Sequence, residues 1–330
     1  MNTSSELTPQ SYLLALLPPL LVLGLAQCLF EVASDPPMTG VSTALKRLTH
    51  QNNALTDLWI LEEARGRYAW LAMVLLSFVA FMYGAMAGIN IILRSHFRDR
   101  LPLLISMGTI LIGMGVLWLW YQMYFEAAMY RLIYGFTFRT FSQSNLFDPQ
   151  FLVKVKFILL ILNTFAVIVP AIIVLAASSV LAIPMEEWRP SLPIIASHMN
   201  QLRTILNLGS LVLVGGILHM HAWLQWPAAL IQDTHVQLAV SKTALAITVF
   251  WGTCFTLMLL ATYGPAATKL SAQARQLLNQ EQPNEPIQNR QAWLKEHDLS
   301  ITLGEQLPQI GIMLAPVLAG PLGSLLMGTH

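Results

Sequence analysis

The sequence predicts an all-α integral membrane protein, a six-span helical bundle with scope for a seventh span. Three observations carry that prediction. The chain is 55% hydrophobic and 11% charged, whereas about a quarter of a soluble domain is charged. Six stretches, at about 12–31, 69–93, 101–125, 157–183, 204–225 and 243–265, stay apolar for roughly 18 residues or more, the mark of a transmembrane helix. Of the 18 Lys and Arg and 17 Asp and Glu residues, Glu31 alone falls within them, as the last residue of the first stretch. About 20 residues at about 1.5 Å each cross roughly 30 Å of hydrocarbon. Residues 1–265 therefore read as one multi-span bundle, and 266–330 as a helical tail.

The first stretch follows a segment, 1–11, that holds no Lys or Arg. A signal peptide would carry positive charge there. Leu25-Ala26-Gln27-Cys28 loosely resembles a lipoprotein cleavage site, but Gln27 is bulky where small residues are expected. The stretch reads as an uncleaved helix, kinked at Pro18-Pro19. In the loop 32–68, Val41, Leu45, Leu48, Leu55, Leu58 and Trp59 recur at three- and four-residue spacing, which predicts an amphipathic helix running on into the second span. It folds back onto the bundle or offers a docking surface.

Arg94, Arg98 and Arg100 crowd a seven-residue loop between the second and third spans. Short basic loops stay cytoplasmic, so the N-terminus is expected in the cytoplasm of a plasma or inner membrane. The totals of Lys and Arg on the two sides tie, so the density of that loop decides. Tyr68 and Trp70, then Trp118, Trp120, Tyr121 and Tyr124, then Trp223 and Trp226 all fall at the opposite end, where an interfacial aromatic belt would sit. The third loop, 126–156, interleaves Tyr130, Tyr134, Phe136, Phe138, Phe141, Phe147 and Phe151 with Arg131, Arg139, Lys154 and Lys156, a composition suited to the headgroup layer.

In the tail, 266–281 continues the sixth helix, Pro283-Asn284-Glu285-Pro286 breaks it, and a short helix follows at 288–298. Leu307 to Met327 is apolar but punctuated by Pro308, Pro316 and Pro321 and by Gly311, Gly320 and Gly323. It reads as a broken membrane-associated segment; a kinked seventh span and a soluble hairpin are the alternatives.

A net charge of +1 leaves no basic stripe for a nucleic acid. Cys28 and Cys254 are packing residues in spans and form no disulfide framework. His219, His221, Asp233 and His235 cluster in sequence and are the one candidate metal site, against the simpler reading of satisfied interfacial histidines. His219 and His221 lie two apart, about 200° around a helix, so they converge only where the helix ends. A bis-histidine haem would need a histidine in a second span at the same depth, and none of the other five holds one. No cofactor is predicted. Met82 and Met86 share a face, where packing is expected over Cu(I) binding.

Gly84, Gly88 and Asn90 form a GxxxG helix-packing face, for internal packing or a homodimer. Asn163, Thr164, Asn207 and Ser210 are candidates for an uncharged polar path. Pro170, about two turns after Asn163, marks a hinge in the fourth span. Walker A, GxGxxG, HExxH, CxxC and GxSxG signatures are missing. The pairs Glu62-Glu63 and Glu186-Glu187 read as solvated faces, since adjacent helical residues do not converge.

Spans free of charge at their centres argue against an ion relay through the bilayer centre. The best-fitting function is a multi-pass component that acts by helix packing and extramembrane helices, as a scaffold, signalling or assembly subunit. Its partners are the lipid bilayer and a protein partner or second copy. The alternative is a channel or transporter for ions or for uncharged or hydrophobic solutes, without buried-carboxylate coupling. A membrane enzyme or redox subunit would have to use the His219, His221, Asp233 and His235 corner.

Overall fold

A computed structural model of the chain describes residues 9–33, 57–94, 101–124, 130–144, 146–181, 192–231, 233–281, 286–297, 299 and 303–326. Among these, helix is nearly continuous and no strand occurs. The elements are α1 (Pro9–Ala33), α2 (Asp57–Arg94), α3 (Leu101–Tyr124), a π-helical turn (Tyr130–Gly135), α4 (Phe136–Gln143), α5 (Pro149–Leu181), α6 (Leu192–Gln225), a 3-10 turn (Trp226–Leu230), α7 (Thr234–Glu281), α8 (Ile287–Glu296) and α9 (Leu303–Leu326). The described residues of each of the six apolar stretches lie on a long helix. Val41, Leu45, Leu48 and Leu55 of the expected amphipathic helix lie outside the described residues. So do Pro283, Asn284 and Glu285 and the pair Glu186-Glu187.

Five helices carry stretches long and apolar enough to cross a membrane: Ile60–Leu93, Pro149–Val180, Leu192–Leu230, Thr234–Gln280 and Leu307–Leu326. Helices α1 and α3 carry shorter apolar stretches, Pro19–Phe30 and Leu111–Tyr121. The outside of the bundle is apolar. Leu75, Tyr83 and Met86 on α2, Leu117 on α3 and Phe157 on α5 are all more than half exposed. Contiguous apolar surface of that extent suits hydrocarbon and not water. Met82 and Met86 belong to this outer face and do not fill gaps in the core.

Helix starts follow local chemistry. Asp148 Oδ1 accepts from Gln150 N at 2.9 Å, and Pro149 occupies the first helical position of α5, where a missing N–H costs nothing. Asp233 Oδ1 accepts from His235 N and Val236 N at 2.8 and 3.2 Å and caps α7. Helix α7 then runs 48 residues, through Gly264 and Pro265.

Helix α6 is the central post. It packs against α2, α5, α7 and α9, while α1 lies on α7 and α3 on α5. Small residues set the close approaches. A Cβ at Gly84 would stand 2.8 Å from Val212 Cγ2 of α6, and one at Gly88 2.8 Å from Ile172 Cγ2 of α5. The GxxxG face is thus turned into the bundle. Asn90, two residues beyond its second glycine, is exposed.

The tail segment is a single helix and not a broken one. Pro308, Pro316 and Pro321 all lie inside α9, which is seated against α6 and α7. A helical proline removes the N–H that would bond the carbonyl four residues earlier. For Pro316 that carbonyl is Ile312 O, and Ser210 Oγ of α6 donates to it at 2.7 Å. Three glycines let the helices approach closely. Gly252 faces Pro316 and Val317, Gly320 faces Thr248, and Gly323 faces His221. At Pro316 a neighbouring helix therefore supplies the donor that the proline removes, one way in which proline is tolerated in helical bundles.

At Gly252 a Cβ would lie 2.5 Å from Pro316 O and 2.8 Å from Val317 Cα, both backbone atoms that cannot swing away. Gly252→Ala is expected to destabilise by about 1–3 kcal/mol through overpacking. At Gly216 nothing lies within 4 Å, so Gly216→Ala is expected to stabilise by about 0.5–1 kcal/mol through helix propensity. Denaturant unfolding of both variants in detergent checks the opposite signs.

Candidate functional site

The most specific side-chain arrangement lies at the end of the bundle where α2 begins and α6 ends. Helix α2 starts at Asp57, twelve residues before the apolar stretch predicted at 69–93, and so brings Glu63 into the bundle. Glu63 is 2% exposed. The expectation of a solvated Glu62-Glu63 face is corrected there: adjacent helical positions point apart, and Glu62 is exposed while Glu63 is enclosed. Trp226 Nε1 donates to Glu63 Oε1 at 2.9 Å, and Arg67, one turn further on, pairs with Oε2 at 3.4 Å. Gly66 makes room, since a Cβ there would lie 3.1 Å from Trp226 Cδ1.

Aromatic rings surround this carboxyl group. Trp70 stacks on Trp226 with centroids 5.1 Å apart, and Phe141 lies 4.4 Å from the same indole. Trp223, Phe147 and Phe151 complete the packing, at 6.0, 6.1 and 6.3 Å from Trp226. Trp70, Trp223, Trp226 and Phe141 are essentially inaccessible. This overturns part of the interfacial-belt expectation. Tyr68, Trp120, Tyr121 and Tyr124 do face outward, but Trp70, Trp223 and Trp226 form a core. Phe141 of the third loop likewise leaves the headgroup layer for that core. The three tryptophans that the belt reading grouped do come together, but as an enclosed cluster.

The third loop is held as a lid on the cluster. Trp223 Nε1 donates to Ile133 O of the π-helical turn at 2.6 Å. Tyr134 Oη donates to Asn163 Oδ1 at 2.7 Å. Arg67 lies over the rings of Tyr68 and Phe151 at 5.8 and 5.9 Å, and Lys156 over Phe138 at 5.3 Å. Basic side chains thus cover the outer rims of the rings, a favourable placement for cations. Gln225 and Ser241 exchange two hydrogen bonds across the α6–α7 corner, at 3.2 and 2.9 Å.

The residues singled out by sequence do not all converge. Helix α6 continues through His219 and His221, so the two rings leave it on different sides. His219 Nε2 accepts from Trp70 Nε1 at 3.1 Å, inside the aromatic cluster. His221 faces Thr248 of α7, Nδ1 to Oγ1 at 3.4 Å, and Gly323 of α9. Asp233 caps α7 and His235 is exposed. Among the described residues no three His, Cys, Asp or Glu side chains stand where they could hold one metal ion. Asn163 is bonded to Tyr134 and Ser210 to α9, while Thr164 and Asn207 are exposed. Sequence reasoning missed Glu63, although Glu63 and Arg67 at i and i+4 signalled a helix already formed before the apolar stretch.

Such an arrangement is a clasp: a carboxyl group pinned between an indole and a guanidinium, sealed by rings. It binds α2, α6 and the third loop together. No protein-family model matches the chain, and no curated protein or solved structure matches it.

Trp226→Phe keeps the ring but removes the donor to Glu63. It is expected to cost about 1.5–3 kcal/mol, the range for a hydrogen bond to a charged group. Glu63→Gln keeps an acceptor for Trp226 and gives up a half-screened ion pair, so its cost is expected to be the smaller. Equilibrium unfolding followed by tryptophan fluorescence ranks the two.

Proposed function

We propose that this chain is a multi-pass membrane subunit that serves as a scaffold or assembly component, with seven helices crossing the bilayer: α1, α2, α3, α5, α6, α7 and α9. The observation that carries the reading is the fate of the polar residues suited to line a conduit. Asn163 Oδ1 accepts from Tyr134 and Ser210 Oγ donates to Ile312 O, while Thr164 and Asn207 face outward. Thr164 bonds back to Leu160 O of its own helix, whereas the bonds of Asn163 and Ser210 join separate helical segments. Hydrogen bonds of that kind hold membrane bundles together where the hydrophobic effect between helices is missing.

The parts that meet a partner are those beyond the bilayer. Helix α7 is about 72 Å long at about 1.5 Å per residue, against about 40–45 Å for a bilayer with its headgroups. Its outer third packs with the first turns of α6 and with Leu294 and Leu299 in one apolar cluster. Helix α8 exposes Gln288, Gln291 and Lys295.

Crosslinking mass spectrometry in native membranes, with size analysis of the purified protein, tests the reading. A defined complex or oligomer is expected, with crosslinks from α8, and charge reversal on the exposed face of α8 is expected to dissolve it while the bundle stays folded. A lone 36.7 kDa chain without crosslinked neighbours would count against a scaffold. In proteoliposomes, solute or ion flux above that of empty vesicles would favour a conduit instead.

A further inference from the structure

We infer that the groove on the outer third of α7 is a binding site for a phosphate-type oxyanion. Thr268, Ser271, Ala272, Arg275, Gln276 and Asn279 line an open cavity of about 550 Å³. They recur at three- and four-residue spacing, so one face of the helix presents them all. Five of the six carry hydrogen-bonding side chains. Arg275 is the charged group among them, and Lys269 adds a second cation on the neighbouring surface.

Ser271 points to a ligand independently of that composition. It is 2% exposed, and its hydroxyl has no hydrogen-bond partner. Helical serines and threonines usually donate back to their own helix, and here Thr262, Thr268, Thr253 and Ser178 do so. Ser271 does not. A buried hydroxyl left unpaired costs about 1–3 kcal/mol. An oxyanion entering the groove removes that penalty by accepting from Ser271 and from the Arg275 guanidinium, whose planar donor fork matches phosphate.

The height of the groove suggests where the oxyanion comes from. Lys242 is exposed near the other end of α7, and Thr268 stands about 39 Å further along the helix. That separation is close to a bilayer with its headgroups, about 40–45 Å. A lipid phosphate would meet the groove at that level, an origin that rests on the membrane reading above. A free phosphate group would reach it from solution, an origin that does not.

Two probes separate the sources. The full-length protein is stripped of lipid in detergent and titrated with inorganic phosphate by calorimetry. It is also placed in nanodiscs of phosphatidylglycerol or of phosphatidylcholine, and retained lipid is counted by native mass spectrometry. Arg275→Gln is expected to weaken the bound species about tenfold, the loss of one charge-assisted hydrogen bond. Ser271→Ala is expected to weaken binding as well, yet to leave the melting temperature of the stripped protein unchanged or higher. A purely structural serine would lower it. Selective retention of phosphatidylglycerol assigns a lipid headgroup, and saturable phosphate binding without lipid preference assigns a free oxyanion. Binding of neither probe, or binding indifferent to both substitutions, overturns the site.

Discussion

Four side-chain hydrogen bonds between segments distant in sequence tie this bundle together, and the architecture follows from them. An unpaired buried donor or acceptor costs about 1–3 kcal/mol. The pairs that avoid this cost also join the helices. Ser77 Oγ of α2 reaches Gly215 O of α6 at 2.8 Å. Ser210 of α6 reaches Ile312 O of α9, Trp70 of α2 reaches His219 of α6, and Trp226 reaches Glu63. Helix α6 takes part in three of these four bonds, and the fourth joins α2 to the 3-10 turn directly after it. This explains why α6 is the most enclosed of the long helices.

The two ends of the bundle are built on different physics. At the end where α6 meets α7, large rings fill space around one carboxyl group. Aromatic side chains bring great contact area, and pairs at 4.5–7 Å gain beyond area alone. Toward the middle, along α6, α7 and α9, small residues do the opposite and let backbones touch. Gly252 meets the backbone of α9 directly, and Gly320 and Gly323 leave room for Thr248 and His221. Dispersion over a long close contact then substitutes for bulk, as in other small-residue interfaces in membranes. Helix α9, last in the chain, therefore belongs to the core and is not a peripheral appendage.

Inter-helix bonds tie the middle of the bundle together, and charged side chains lie at its ends. One end carries the clasp and its basic rim of Arg67 and Lys156. The other carries the outer third of α7 with α8.

Much of this was legible in the chain itself. Apolar stretches of bilayer length dictate an all-α bundle, because only helices of that length satisfy their own backbone in hydrocarbon. The same local logic located the continuation of the sixth helix to 281 and the short helix near 288. It also showed that His219 and His221 diverge, since helical geometry depends only on spacing. Tertiary structure alone decided three things. It decided that Trp70, Trp223 and Trp226 turn inward, because an interfacial and a core tryptophan have the same neighbours in sequence. It decided that Glu63 is enclosed, because its partner Trp226 lies 163 residues away. And it decided that a segment with three prolines holds as one helix, because the group that bonds Ile312 O belongs to a different helix. Periodicity reports which residues share a face; what that face meets is a matter of long-range packing, which no local pattern encodes.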